Sequence, residues 1–131
     1  MMQVLPSRRE KQQESLCEEL LQERAAVLAR AGFAVEDALA ILDRLDWQFG
    51  KMMFHWQSLQ VGLEDGVHPR EQRSVFKEIN EIIDQFNAAC QKAEIQYYYL
   101  IVTREALGLR RHEMVQKLYR VPPKKKKMQA V

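Results

Sequence analysis

The chain has 131 residues, 47% of them hydrophobic and 29% charged, with a net charge of +2 and only five glycines and four prolines. That length suits one domain with a modest core of its own, and the abundance of Leu, Ala, Glu, Gln, Arg and Lys points to an all-helical protein. No apolar run reaches the roughly 18 residues needed to cross a bilayer, and the first 15 residues lack the basic, apolar, small-residue order of a secretory signal, so a soluble, cytoplasmic protein is expected. Cys17 and Cys90 stand too far apart in sequence for a metal or redox motif, which agrees with a reducing compartment. The small net charge hides an asymmetry. Residues 108–131 carry eight Lys or Arg against the single acid Glu113, a net of +7, which leaves the first 107 residues at −5.

In chain order, Ser7 and Glu10 fit a capping box, in which each side chain takes up the other's free backbone N–H at a helix start. A seam of eleven apolar residues then recurs at alternating spacings of three and four: Leu28, Ala31, Val35, Ala38, Leu42, Leu45, Phe49, Met52, Trp56, Leu59 and Leu63. It extends backwards through Leu21 and Cys17, interrupted by Arg24. Gly32 and Gly50 weaken a helix, but the phase of the seam survives both, so one helix is expected from about residue 7 to residue 62. An Asp65-Gly66 pair followed by Pro69 marks a turn and a new helix start.

The second seam reads Phe76, Ile79, Ile83, Phe86, Cys90, Ala93, Tyr97, Leu100, Arg104 and Leu107, apolar except at Arg104. Two long helices joined by a short turn make an antiparallel hairpin. In that register Ala26, Ala29, Ala31, Ala34, Ala38 and Ala40 lie level with the bulky run from Ile95 to Leu109, small against large. Gly108 ends the second helix, residues 110–119 form a short third one, and Pro122-Pro123 stop it. The expected organisation is a single helical domain over residues 1–123 and a basic, disordered tail over 124–131.

Two surfaces do not suit a lone hairpin. Phe33, Ala40, Trp47, Phe54 and Val61 repeat every seventh residue on the outer side of the first helix, and Ile95 and Tyr97 to Val102 are apolar all round the second. A helix that is hydrophobic on every side has to be covered. Two hairpins completing a four-helix bundle by dimerisation would cover them, with Phe33, Trp47, Phe54, Val61, Tyr98 and Tyr99 as the partner interface; the third helix and the N-terminal turns folding back would do so within one chain. Reading Tyr97 to Val102 as a strand fits β propensity but leaves it without a partner strand.

The residue types that carry chemistry are thinly spread. No Glu precedes a His by three, so the di-iron bundle pattern is missing, and His112-Glu113-Met114-Val115-Gln116 fails the zinc-protease pattern at its last position. No glycine-rich phosphate loop or nucleophile elbow is present. The acid clusters Glu18-Glu19-Glu23 and Glu36-Asp37 stand beside Arg24, Arg30 and Arg44 as solvated helix faces. No catalytic residue, metal or cofactor is therefore expected. Arg24 and Arg104 are polar seam residues that need carboxylate partners and can fix register. The basic residues Arg110, Arg111, Lys117, Arg120, Lys124, Lys125, Lys126 and Lys127 offer non-specific affinity for phosphate backbones, and Leu107-Gly108-Leu109 before Arg110-Arg111-His112 has something of the turn of a helix-turn-helix, without its usual small residue at position 104.

Residues Glu23 to Gly32 running into Glu36 and Ala38-Leu39, together with Thr103-Arg104-Glu105-Ala106-Leu107-Gly108-Leu109-Arg110, Tyr119 and Val121-Pro122, resemble a family of short uncharacterised bacterial helical proteins of the domain-of-unknown-function kind. The similarity covers residues 16–45 and 95–123. It implies a cytoplasmic bacterial protein in which Arg104, Glu105 and Gly108 share a role, and it supplies no activity.

The function expected is a non-catalytic interaction or assembly module that forms a homodimer or engages another helical protein. The alternatives are a nucleic-acid-associated protein working through the basic C-terminus, and a helical chaperone for another protein's amphipathic helix.

Overall fold

A computed structural model describes residues 4, 5, 7–61 and 69–129. Three helices make up the described chain: α1 (Arg8–Val61), α2 (Pro69–Ala106) and the one-and-a-half-turn α3 (Glu113–Leu118). The all-helical hairpin with a short third helix is the architecture the two seams call for. Leu63 and the Asp65-Gly66 turn lie outside the described residues.

The start of α1 is set as the sequence indicates. The Ser7 backbone N–H donates to Glu10 Oε2 at 3.1 Å, and the Glu10 N–H donates to Ser7 Oγ at 3.2 Å. These reciprocal bonds satisfy two of the donors that a helix start leaves without partners. Both Gly32 and Gly50 lie inside α1, which runs through them without a break. Pro69 opens α2, where its missing N–H costs nothing.

The two seams meet. Val35, Ala38, Leu42 and Leu45 of α1 are buried against Val75, Ile79, Ile83, Phe86, Cys90, Ala93 and Leu100 of α2. Three clusters follow one another along the hairpin. At the open end Val35 and Leu100 pack with Val115 of α3 and with Leu28, Ala31, Tyr97 and Ile101. Ala38, Leu42 and Leu45 pack with Phe86, Cys90 and Ala93 in the middle. Toward the turn Val75, Ile79 and Ile83 pack with Phe49, Met52, Trp56 and Leu59. The run Tyr97 to Val102 is helical throughout.

The end of α2 explains where α3 begins. Gly108 adopts φ +87°, its N–H donates to the Glu105 carbonyl at 3.0 Å, and the Leu109 N–H reaches back to the Arg104 carbonyl at 2.9 Å. That pair of bonds is a Schellman motif, which needs a left-handed residue just past the helix. The third helix is shorter than its expected span of 110–119, because residues 109–112 are spent on turning the chain back. Arg110 and Arg111 are therefore in the loop, outside the helix.

The larger correction concerns the tail. Residues 119–129, part of which was expected to be disordered, run extended along the hairpin and place Val121 on the middle cluster and Met128 on the cluster nearest the turn. With Val115 and Tyr119 at the open end, the C-terminal region sets an apolar residue on each of the three clusters. The prolines that stop α3 also fix φ near the extended value and disfavour helix at the residues before them, so this segment loses little freedom on docking.

The two kinds of glycine separate by experiment. A Cβ at Gly50 meets no heavy atom within 4 Å. Gly50→Ala is expected to stabilise the fold by about 1 kcal/mol, whereas Gly108→Ala, with positive φ, is expected to cost about 1 kcal/mol or more. Thermal unfolding followed by circular dichroism reads both.

Candidate interaction site

The C-terminal segment is held by side chains of α2 that the seam does not use. Asn80 and Asn87 stand seven residues apart, on the same side of α2, and both are half-buried. Asn87 Oδ1 accepts the Lys125 backbone N–H at 2.7 Å, while its Nδ2 donates to the Lys125 carbonyl at 2.8 Å. Asn80 repeats the arrangement at Met128, accepting from its N–H at 2.8 Å and donating to its carbonyl at 3.3 Å. Each amide thus behaves as a neighbouring strand would, taking both main-chain groups of one residue. The spacings match: seven helical residues rise about 10.5 Å, and three extended residues span about 9 to 10 Å. The segment runs antiparallel to α2.

Charge completes the clamp. Lys125 Nζ lies 2.9 Å from Asp46 Oδ1, and sits 4.3 Å above the Phe49 ring and 4.7 Å from that of Phe86. Lys127 pairs with Asp84 at 3.2 Å with both side chains largely exposed, a contact of little energetic weight. Beneath the prolines, the Cys90 thiol is fully buried and donates to the Pro122 carbonyl at 3.5 Å. Burial pushes the Cys90 thiol up from its ordinary value and Glu94 adds to the shift, with Lys124 and Lys125 opposing it. It is a core thiol with no activated character. Neutral hydrogen bonds contribute about 1 kcal/mol each, so four of them offset the ordering of roughly two to four residues at about 1 to 2 kcal/mol apiece. The stiff prolines and the partly buried side chains of Val121 and Met128 supply what the bonds do not.

The loop before the segment is tied down at Arg104. Its Nε donates to His112 Nδ1 at 3.2 Å, its Nη2 donates to the Arg111 carbonyl at 2.8 Å, and His112 Nε2 meets Glu105 Oε1 at 3.2 Å. With Nδ1 accepting from Arg104, the imidazole carries its proton on Nε2 and donates to the carboxylate. Arg104 therefore has a histidine and a carbonyl as partners where a carboxylate was expected, and it fastens the C-terminal loop as well as interrupting the seam. Arg104, Glu105 and Gly108 belong to one structural unit, the cap of α2. Arg24 is exposed, well before the buried part of α1. A groove lined by Leu28, Gly32, Phe33, Leu100, Met114 and Leu118 opens beside Arg104.

The remaining candidate residues divide cleanly. Phe33, Trp47, Phe54, Val61, Tyr98 and Tyr99 are all exposed, and among the described residues α3 leaves them uncovered. Lys51 stacks over the Trp47 ring at 4.0 Å. Of the basic residues, Arg110, Arg111, Lys117, Arg120, Lys124 and Lys126 are exposed, while Lys125 and Lys127 point their charges at Asp46 and Asp84. The six-residue α3 is too short for the recognition helix of a helix-turn-helix. His55 pairs with Glu71 across the hairpin at 3.3 Å. Among the described residues no group of three or more His, Cys, Asp or Glu is placed to hold a metal ion, and no helix is long and apolar enough to cross a membrane.

Asn80, Asn87, Asp46 and Asp84 went unremarked in the sequence because their partners are main-chain atoms or residues far along the chain. The one available signal was a pair of asparagines at heptad spacing, in a helix interior that asparagine disfavours.

Scans against family models, curated proteins and solved structures found no match to the chain.

Tyr119 provides a pH-dependent check on how the segment is anchored. Its hydroxyl donates to Glu36 Oε1 at 2.7 Å, and this bond, with some burial and the Glu36 charge, raises its pKa above the ordinary tyrosine value. A raised folded-state pKa contributes stability that is full below the unfolded value of about 10 and is lost as pH rises through the folded one. Tyr119→Phe is expected to cost about 0.5 to 1 kcal/mol at pH 8. The gap between the two proteins should close above pH 10 in denaturant titrations. A gap that persists there would assign the cost to packing.

Proposed function

We propose that the protein is a non-catalytic helical interaction module that associates with a second copy of itself through the projecting part of α1, in a reducing cytoplasmic setting. One observation carries the reading. The seam of α1 continues beyond Leu28, which still packs on the open-end cluster, through Arg24, Leu21 and Cys17, and every residue from Arg8 to Val27 is exposed. This overhang of twenty residues is about 30 Å long and leaves Leu16, Leu20, Leu21 and Val27 in water. A helix takes most of its stability from the face it buries, and a length of this order is marginal alone. A second overhang laid antiparallel would cover the stripe beside the groove at Phe33, Met114 and Leu118. The outer aromatics Trp47, Phe54, Val61, Tyr98 and Tyr99 extend the apolar surface offered to a partner.

The nucleic-acid reading has one lysine fewer to draw on, since the half-buried Lys125 is occupied by Asp46 of the same chain. The chaperone reading uses the same overhang with a client helix in place of the second copy.

Light-scattering mass on the purified chain separates these. Twice the 15.4 kDa chain mass, with the 260/280 nm absorbance ratio of protein alone, is expected. Leu20→Gln/Leu21→Gln keeps helix propensity and is expected to give a monomer of unchanged helicity. A dimer that survives this change but falls apart on Trp47→Gln/Phe54→Gln would move the interface to the outer face. A monomer that sheds nucleic acid as salt rises would favour the basic residues.

A further inference from the structure

The clamp on the C-terminal segment has the construction of a peptide-binding site. Asn80 and Asn87 recognise only main-chain N–H and C=O groups, so any extended segment of suitable course can satisfy them. Side-chain selection comes from Asp46 and Asp84, which take lysines, and from the apolar surfaces under Val121 and Met128. The occupant is the segment that follows α3. It rests on the outside of the α1–α2 seam, whose buried residues up to Leu100 precede it in sequence.

We propose that the groove between α1 and α2 is a binding site for an extended, lysine-bearing segment of another protein, and that the chain's own residues 121–128 hold it in a self-occupied state. The charge balance fits this assignment, because the groove's acids belong to a body of net charge −5 while its resident ligand carries four consecutive lysines. A tethered tail acts at millimolar effective concentration. An incoming segment therefore has to bind better than the resident one, or arrive at high local concentration. The Lys127–Asp84 pair is exposed enough to exchange readily, and the two central asparagines then pass from one main chain to another.

The test uses the full chain in a Cys17→Ser background and two readouts. The probe is a fluorescein-labelled peptide with the sequence of residues 119–129. The rate at which N-ethylmaleimide alkylates Cys90, which lies under Pro122, reports whether the groove is open. Lys125→Glu/Met128→Glu should loosen the resident segment, accelerate Cys90 alkylation, and raise affinity for the peptide at least tenfold over the unaltered tail. Adding Asn80→Ala/Asn87→Ala should lower that affinity about tenfold with helicity retained, and a scrambled peptide of equal charge should bind weakly. Fast alkylation without peptide binding would overturn the proposal and leave the clamp as a fastening for its own tail. Unchanged alkylation would overturn it as well, since Lys125 and Met128 would not be what holds the segment. Equal binding of the scrambled peptide would reduce the site to charge attraction. A doubled mass that persists with Leu20→Gln/Leu21→Gln and is lost with the Asn80→Ala/Asn87→Ala pair would assign the groove to tail exchange between copies, overturning the separate partner.

Discussion

Burial of one continuous apolar stripe against another is the constraint on which the rest of the molecule depends. The seam from Val35 to Leu45 meets the seam from Val75 to Leu100, and among the described residues nothing charged is buried. At about 25 cal/mol per Å² of apolar surface removed from water, this contact dominates any hydrogen bond or ion pair in the chain. It fixes the antiparallel register, and the register places Asn87 of α2 and Asp46 and Phe49 of α1 where Lys125 reaches all three. It also determines where α2 stops along α1, and hence how much of α1 is left uncovered.

The C-terminal region reads as a second layer built on the first. Gly108 turns the chain, Arg104 and His112 tie the turn, Tyr119 reaches Glu36, and the prolines deliver an extended segment to the asparagines. Its hydrogen bonds, part-buried or exposed, fasten it onto a hairpin whose own buried contacts are apolar. A segment whose hydrogen bonds to the asparagines are all made through main-chain atoms differs in kind from one held only by interlocking side chains. The first is replaceable by other sequences of the same shape, the second is not.

The fold was largely legible because helices of this length repeat their burial pattern many times. The seam phase passing undisturbed through Gly32 and Gly50 correctly indicated one unbroken α1, and Ser7 with Glu10 marked its start. Gly108 was read correctly as a terminator, but the residues its motif consumes, 109–112, were not, so α3 was expected too long. The tail misled for a physical reason. Four lysines in a row usually mean a solvated chain, and composition carries no trace of two asparagine amides positioned to receive its backbone. Arg104 shows the same limit. Its place on the seam was visible, but its partners His112 and Arg111 depend on the path of a loop that periodicity does not describe.

The exposed leucines of α1 give the account its central claim, that the seam beyond α2 is a surface for another helix. Hydrogen exchange over residues 8–27, followed as protein concentration is raised, tests this most directly. Protection that climbs with concentration toward that of the buried α1 segment is the result expected of a covered stripe. Rapid exchange independent of concentration, with residues 35–45 still protected, would mean that the overhang stays in water and would contradict association through it.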